Sequence, residues 1–334
     1  MKTGGSRALR SAVAAALAVA GISAVFAQPP GPPGAPRGPL PAAAQARVDA
    51  ARELAGNDLA VTYDFFCVPG NARANNFSAP PLEPVQLFDN LYALGNSESV
   101  IHVLRTSEGL VLLDAGHPGD FETLILPGLA ALGLDPADIR YVLLGHGHSD
   151  HYGAAAALQE RGARVGTTAA DWETIAAERP SAMFGDAPKP VRDLVLEEGT
   201  LQVGDTTITL VEIPGHTPGA LAFIFPVRDG DNSHTAGLFG GTILAAGFVP
   251  LPGVRQYLES IDHYLGFAGR LGVDVEIQNH PIFDDTLGRI AALNARAPGA
   301  PHPFVMGNER YQRFWKVIQT CMQATLIQRE AAQQ

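Results

Sequence analysis

Three imidazoles and a carboxylate crowd into six residues, His146-Gly147-His148-Ser149-Asp150-His151, and this stretch constrains the chain more than any other. It follows an apolar run, Tyr141-Val142-Leu143-Leu144, and precedes an alanine-rich segment, Tyr152 to Glu160, of helical composition. A tight loop leaving a rigid strand can aim such side chains at one point. Zinc takes imidazole nitrogen and carboxylate oxygen at about 2.0–2.2 Å. Alternate side chains of an extended segment share a side, so His146 and His148 can grip one ion. Asp150 and His151 lie past the turn and can face a second ion beside it. The spacing predicts a metal site.

Other segments supply what such a site needs. Gly215-His216-Thr217-Pro218-Gly219 follows a strand expected over Thr206–Ile213 and offers another imidazole. Asn279-His280-Pro281 closes the apolar run Val273–Ile277 and offers one more. Upstream stands Leu110-Val111-Leu112-Leu113-Asp114-Ala115-Gly116, a strand running into an aspartate. Together, and in this order, the four motifs resemble the metallo-β-lactamase superfamily from about Val85 to about Glu330. The resemblance implies a single-domain, four-layer αββα sandwich of the mixed α/β (α+β) class; periodicity alone leaves a doubly wound sheet open. It implies His146, His148 and His216 around a first zinc, and Asp150, His151 and His280 around a second. It also implies that Asp114 is a buried carboxylate supporting the metal loop without binding the ion.

The branch of the family turns on Leu238-Phe239-Gly240-Gly241-Thr242-Ile243-Leu244. Many relatives place a metal-bridging aspartate where this chain has Thr242, and two β-lactamase subclasses use a cysteine there. The chain has neither, which is most similar to subclass B3. That likeness implies two Zn2+ ions per chain and a hydrolase that opens the β-lactam ring of antibiotics with a metal-activated water. Asp150 would orient that water and shuttle its proton, and the Thr242 hydroxyl would meet the substrate carboxylate. The alternative is an exported hydrolase of the same fold acting on another cyclic or activated ester or amide, such as a lactone. A non-catalytic zinc protein is a third reading, against which the full ligand set counts. Specificity is expected from the loops Phe65–Phe77, Trp172–Pro190 and Ala245–Val254.

Bulk properties agree with a small-molecule enzyme. Hydrophobic residues make up 46% and charged residues 17% of the 334, a globular balance with a large core. Net charge is −11, against the clustered basic face that a nucleic-acid partner requires. Lys2, Arg7 and Arg10 precede the apolar stretch Ala12–Phe26, and Val25-Phe26-Ala27 fits a small-residue cleavage site. Residues 1–27 are therefore expected to be a signal peptide, leaving a periplasmic or secreted monomer with no membrane contact. Residues 28–57 are expected to form a flexible Pro/Gly-rich segment with a short helix, and 58–334 the catalytic domain. Cys67 and Cys321 are the only cysteines. In an oxidising compartment they can pair, or they can pack as two buried thiols.

Strands are expected over Val85–Leu94, Val100–Arg105, Leu110–Asp114, around Tyr141 and Val165, and over Thr206–Ile213, Ala220–Pro226 and Leu238–Leu244. Helices are expected over Phe121–Leu132, from Ala154, over Arg255–Leu271 and over Glu309–Arg329. The stretch 57–84 reads as irregular, punctuated by Pro69-Gly70 and Pro80-Pro81.

Overall fold

Two sheets face each other, each closed on its outer side by helices. The computed structural model describes Met1 and residues 40–68, 81–180, 186–244 and 249–333. Residues 2–27 of the expected signal peptide and residues 28–39 of the Pro/Gly-rich segment lie outside the described residues, as do parts of the three loops expected to set specificity. The described elements run in the order α1 (Ala42–Ala55), α2 (Ala60–Cys67), β1 (Val85–Phe88), β2 (Leu91–Gly95), β3 (Val100–Thr106), β4 (Gly109–Leu113), α3 (Leu126–Ala131), β5 (Ile139–Leu143), α4 (Ser149–Tyr152), α5 (Ala155–Glu160), β6 (Arg164–Thr167) and α6 (Ala169–Ala177). The second half holds β7 (Leu194–Val195), β8 (Gly199–Val203), β9 (Thr206–Glu212), β10 (Leu221–Asp229), β11 (Asn232–Phe239), α7 (Leu251–Arg270), β12 (Val275–Ile277), α8 (Thr286–Asn294) and α9 (Asn308–Ala331).

Strands β1 to β7 form one sheet in sequence order, and the other runs β12-β11-β10-β9-β8. Inward residues of both sheets, among them Leu104, Val111, Leu113 and Leu143 against Ile208, Phe223, Leu238 and Ile277, form the central core. Outward residues of the first sheet, Val103, Leu112 and Val142, pack on Ile125, Leu158 and Trp172. Those of the second sheet, Val211, Ile224 and Phe239, pack on Tyr257, Ile261, Trp315 and Ile318. Burying both faces of each sheet in this way produces the four-layer αββα sandwich. Among the described residues no helix is long and apolar enough to cross a membrane.

Several local expectations change. The single strand over Val85–Leu94 is a hairpin. Asn90 stands in the turn, its side chain donating Nδ2 to Pro226 O and accepting from Arg228 N. The helix at Phe121 opens as a π-helical turn, Phe121–Ile125, before α3. β11 ends at Phe239, and Gly240 follows it where the backbone runs so close that a Cβ would lie 2.3 Å from Leu221 O. The stretch expected to be irregular after 57 holds α2, whose Thr62 hydroxyl donates to Phe283 O at 3.0 Å. Helix α1 buries Ala44, Ala51 and Ala55, the last two in the same core as Trp315 and Ile318 of α9, so the folded layers begin before residue 58. Cys67 and Cys321 form a disulfide with Cα atoms 5.0 Å apart, pinning α2 to α9.

Candidate metal centre

The centre is assembled where strands end. β5 delivers the chain at Leu143, and His148 precedes α4 with extended backbone, φ −92° and ψ 151°. The turn that follows, closed by His151 N donating to His148 O at 2.9 Å, sends Asp150 and His151 toward the neighbouring position. His216 comes from the loop between β9 and β10, and His280 from the loop after β12. His146, Asp150 and His151 are buried, whereas His148, His216 and His280 are half-buried.

Two triads result. His146 Nε2 lies 3.0 Å from His216 Nε2, and His148 Nδ1 also lies 3.0 Å from His216 Nε2. In the second triad His151 Nε2 is 3.1 Å from His280 Nε2 and 3.2 Å from Asp150 Oδ2, with His280 Nε2 and Asp150 Oδ2 at 3.7 Å. The two adjoin, since His146, Asp150 and His151 offer ligand atoms all within 4.8 Å of one another.

What fixes these rings is the opposite nitrogen. His146 Nδ1 donates to Gly240 O at 2.5 Å, His216 Nδ1 to Ile243 O at 2.6 Å, and His280 Nδ1 to Glu98 O at 2.7 Å. His151 Nδ1 donates to Asp114 Oδ2 at 2.8 Å. With the proton committed to Nδ1, each Nε2 carries only a lone pair. Lone pairs facing one another at about 3 Å repel unless a cation lies between them. Asp150 Oδ1 is also buried without a hydrogen-bond partner among the described residues. These donor sets, three nitrogens in one triad and two nitrogens with a carboxylate in the other, fit zinc.

At His146, His216 and His280 the electrostatics favour the same state. Burial pushes His216 down to about 3 and His280 down to about 4, and holds His146 well below the usual imidazole range. They are neutral imidazoles, as ligation requires. Burial also opposes charge on Asp150 and His151, but their mutual attraction outweighs it. Helped by Asp114, it carries His151 up to about 10, while His151, His280 and His148 hold Asp150 well below the carboxylate range.

Asp114 stands one layer behind the ligands. It adopts a left-handed backbone (φ 66°), accepts from Gly145 N at 2.7 Å through Oδ1, and takes His151 Nδ1 and Asn279 Nδ2 on Oδ2. Asn279 was not singled out in the sequence, yet its amide joins Asp114 to Gly240 O at 3.0 Å each. Its only sequence signal is its place just before His280. Ser99, whose hydroxyl donates to Asp150 O at 3.0 Å, has none.

Thr242 departs from expectation. Its side chain is fully buried, and its hydroxyl bonds Phe239 O at 2.9 Å and Gln278 Oε1 at 2.8 Å. A hydroxyl enclosed in the fold must be satisfied there. It therefore braces the loop whose carbonyls at Gly240 and Ile243 hold His146 and His216, and presents nothing to a substrate carboxylate. His117 sits with Nε2 3.7 Å from Glu98 Oε2, beside the backbone carbonyl that holds His280.

Comparison with known proteins places this geometry. A family model described as the metallo-beta-lactamase superfamily matches residues 94–230. The crystal structure of a subclass B3 metallo-beta-lactamase of Bradyrhizobium japonicum superposes with a TM-score of 0.65 at 27% identity, over 76% of this chain and 97% of that one. A hydroxyacylglutathione hydrolase of Cereibacter sphaeroides is 38% identical over 101 residues, 30% of this chain and 34% of that protein. Another, from Pseudomonas aeruginosa, is 30% identical over 176 residues, 51% of this chain and 50% of that one. The chain thus spans a third to a half of the length of these curated relatives. The fold, the converging histidines and these similarities agree: residues 94–230 match the metallo-beta-lactamase superfamily, within a fold like that of the subclass B3 enzyme.

Proposed function

We propose that this chain is an exported hydrolase that binds two zinc ions and opens β-lactam rings in the manner of subclass B3. The observation that carries the reading is the pair of three-ligand sets with Thr242 turned inward where a bridging carboxylate would stand. Without that carboxylate the centre is one negative charge short. This favours an anionic substrate and the negative charge that develops on nitrogen as a lactam opens. Bound zinc supplies Lewis acidity and lowers the pKa of water.

The chain's own groups do the rest. Asp150 has one oxygen, Oδ2, among the second set of ligands and the other, Oδ1, without a partner among the described residues, placed to accept a proton from a water in the cleft. The Nδ1 tethers hold four of the five imidazoles rigid, so little reorganisation accompanies the reaction. Asp114, Asn279 and Ser99 keep Asp150 and His151 in place.

A second reading, hydrolysis of a lactone or a hydroxyacyl thioester, draws on the curated relatives named hydroxyacylglutathione hydrolase. The inward Thr242 hydroxyl also favours it, because it leaves that position without a donor for a substrate carboxylate. The deciding experiment compares kcat/KM of the zinc-loaded protein on nitrocefin, a simple lactone and a hydroxyacylglutathione thioester, each with and without a chelator. The β-lactamase reading expects nitrocefin to lead by tenfold or more and turnover to vanish with the chelator. A lead for the thioester or lactone would replace it with the second reading.

A further inference from the structure

Helix α6 takes part in the metal centre without contributing a ligand. β6 runs parallel to β5, so the helix that follows it starts beside the loop that β5 sends to the metals. Thr168 caps this helix, accepting from Asp171 N at 3.2 Å and donating to Gly219 O at 2.8 Å. Two glycines record how closely its first turn abuts both ligand loops. A Cβ on Gly147 would lie 2.9 Å from Asp171 O, and one on Gly219 would lie 1.9 Å from Thr168 Oγ1 and 2.6 Å from Asp171 N.

Between the two loops stands Asp171, with no solvent exposure. Oδ2 accepts from Gly147 N at 2.9 Å and from the Thr217 hydroxyl at 2.7 Å. Oδ1 accepts from Gly219 N at 3.1 Å and from the Thr174 hydroxyl at 3.2 Å. Gly147 lies between His146 and His148, and Thr217 follows His216. One carboxylate therefore joins the backbone flanking all three ligands of the first triad, and it touches nothing in the second. The N–H and O–H donors around it make burial of its charge tolerable, and hydrogen bonds to a carboxylate are stronger than neutral ones.

We propose that Asp171 is a positioning residue for the first metal, setting the separation between the loop that carries His146 and His148 and the loop that carries His216. This rests on the metal reading above. An amide cannot replace the carboxylate, because in Asp171→Asn the NH2 group must face either Gly147 N–H or Gly219 N–H, neither of which accepts. One loop is then released while the volume stays the same.

The test reads zinc affinity by chelator competition in two backgrounds. His280→Ala leaves the first triad intact, and His216→Ala leaves the second. Asp171→Asn should weaken zinc ~10–100-fold in the His280→Ala background, the range expected for groups that orient ligands, and leave affinity in the His216→Ala background unchanged. Thr217→Val, which removes the tie to the His216 loop alone, should give a smaller loss in the first background only, and Thr217→Ser should restore it. Thr217→Val also keeps the question open if Asp171→Asn does not fold. Equal losses in both backgrounds, or no loss in either, would overturn the proposal by making Asp171 a general packing residue. A wild-type chain that takes up no zinc would overturn the metal reading itself, and the proposal with it.

Discussion

At the residue scale, the centre is held by groups that never touch a metal. Asp114 binds Gly145 N, His151 Nδ1 and Asn279 Nδ2 at once. Asp114→Asn would set an NH2 group against at least one of these donors. It should weaken zinc ~10–100-fold without removing a ligand. Cobalt-substituted spectra should keep the wild-type coordination number, and a changed number would make Asp114 a ligand. Thr242→Val should leave Phe239 O and Gln278 unpaired inside the fold and cost about 1–3 kcal/mol of stability, with little change in KM for a carboxylate-bearing substrate. A large rise in KM with unchanged stability would return Thr242 to the substrate. The convergence of the six candidate ligands was legible because their motifs are local and chemically distinctive. The tethers were not, because a backbone carbonyl such as Gly240 O or Glu98 O belongs to every residue and only the fold selects it. Thr242 misled because sequence shows a hydroxyl without showing where it points.

At the element scale, strands of unbroken apolar character were readable and turns built on long-range contacts were not. β5, β9 and β10 appear near their expected places, whereas the β1–β2 hairpin depends on Asn90 reaching Pro226 and Arg228, more than a hundred residues away. Helix α2 escaped notice because it is short and its stability comes from what it meets. Phe65 and Phe66 pack tilted and edge-on against Phe283, Thr62 bonds Phe283 O, and Cys67 is bridged to Cys321. Phe283 lies three residues beyond His280, so α2 also buttresses the loop bearing that ligand. Reducing the disulfide should cost ~2–4 kcal/mol of stability, as native bridges commonly do. Denaturant titrations with and without reductant measure this. Zinc content at room temperature should be unaffected, and zinc loss on reduction at a temperature where the chain stays folded would mean that α2 does more than brace.

At the scale of the whole molecule, the four layers bury histidines that are not meant to charge. Burial pushes His102 down to about 4, alongside His280 at about 4 and His216 at about 3. Free imidazole titrates near 6.5, so between that pH and about 4 the unfolded chain binds protons that the folded chain refuses. The stability these groups contribute is therefore present above about pH 6.5 and is lost as pH falls through 4. For His102, buried with Nδ1 lacking a partner among the described residues, the loss at pH 4.5 is about 2–3 kcal/mol. Denaturant titrations of zinc-free protein should show this slope, and His102→Leu should flatten it. An unchanged slope in His102→Leu would mean that the drop comes from the ligand histidines alone.

The central claim is that six side chains form two zinc sites, and counting zinc tests it most directly. Elemental analysis of the zinc-supplemented protein should find two ions per chain in the wild type. His216→Ala should keep one, held by Asp150, His151 and His280, and His280→Ala should keep one, held by His146, His148 and His216. A wild type that binds a single ion, or a His216→Ala variant that still binds two, would contradict the division into two sites on which the proposed chemistry depends.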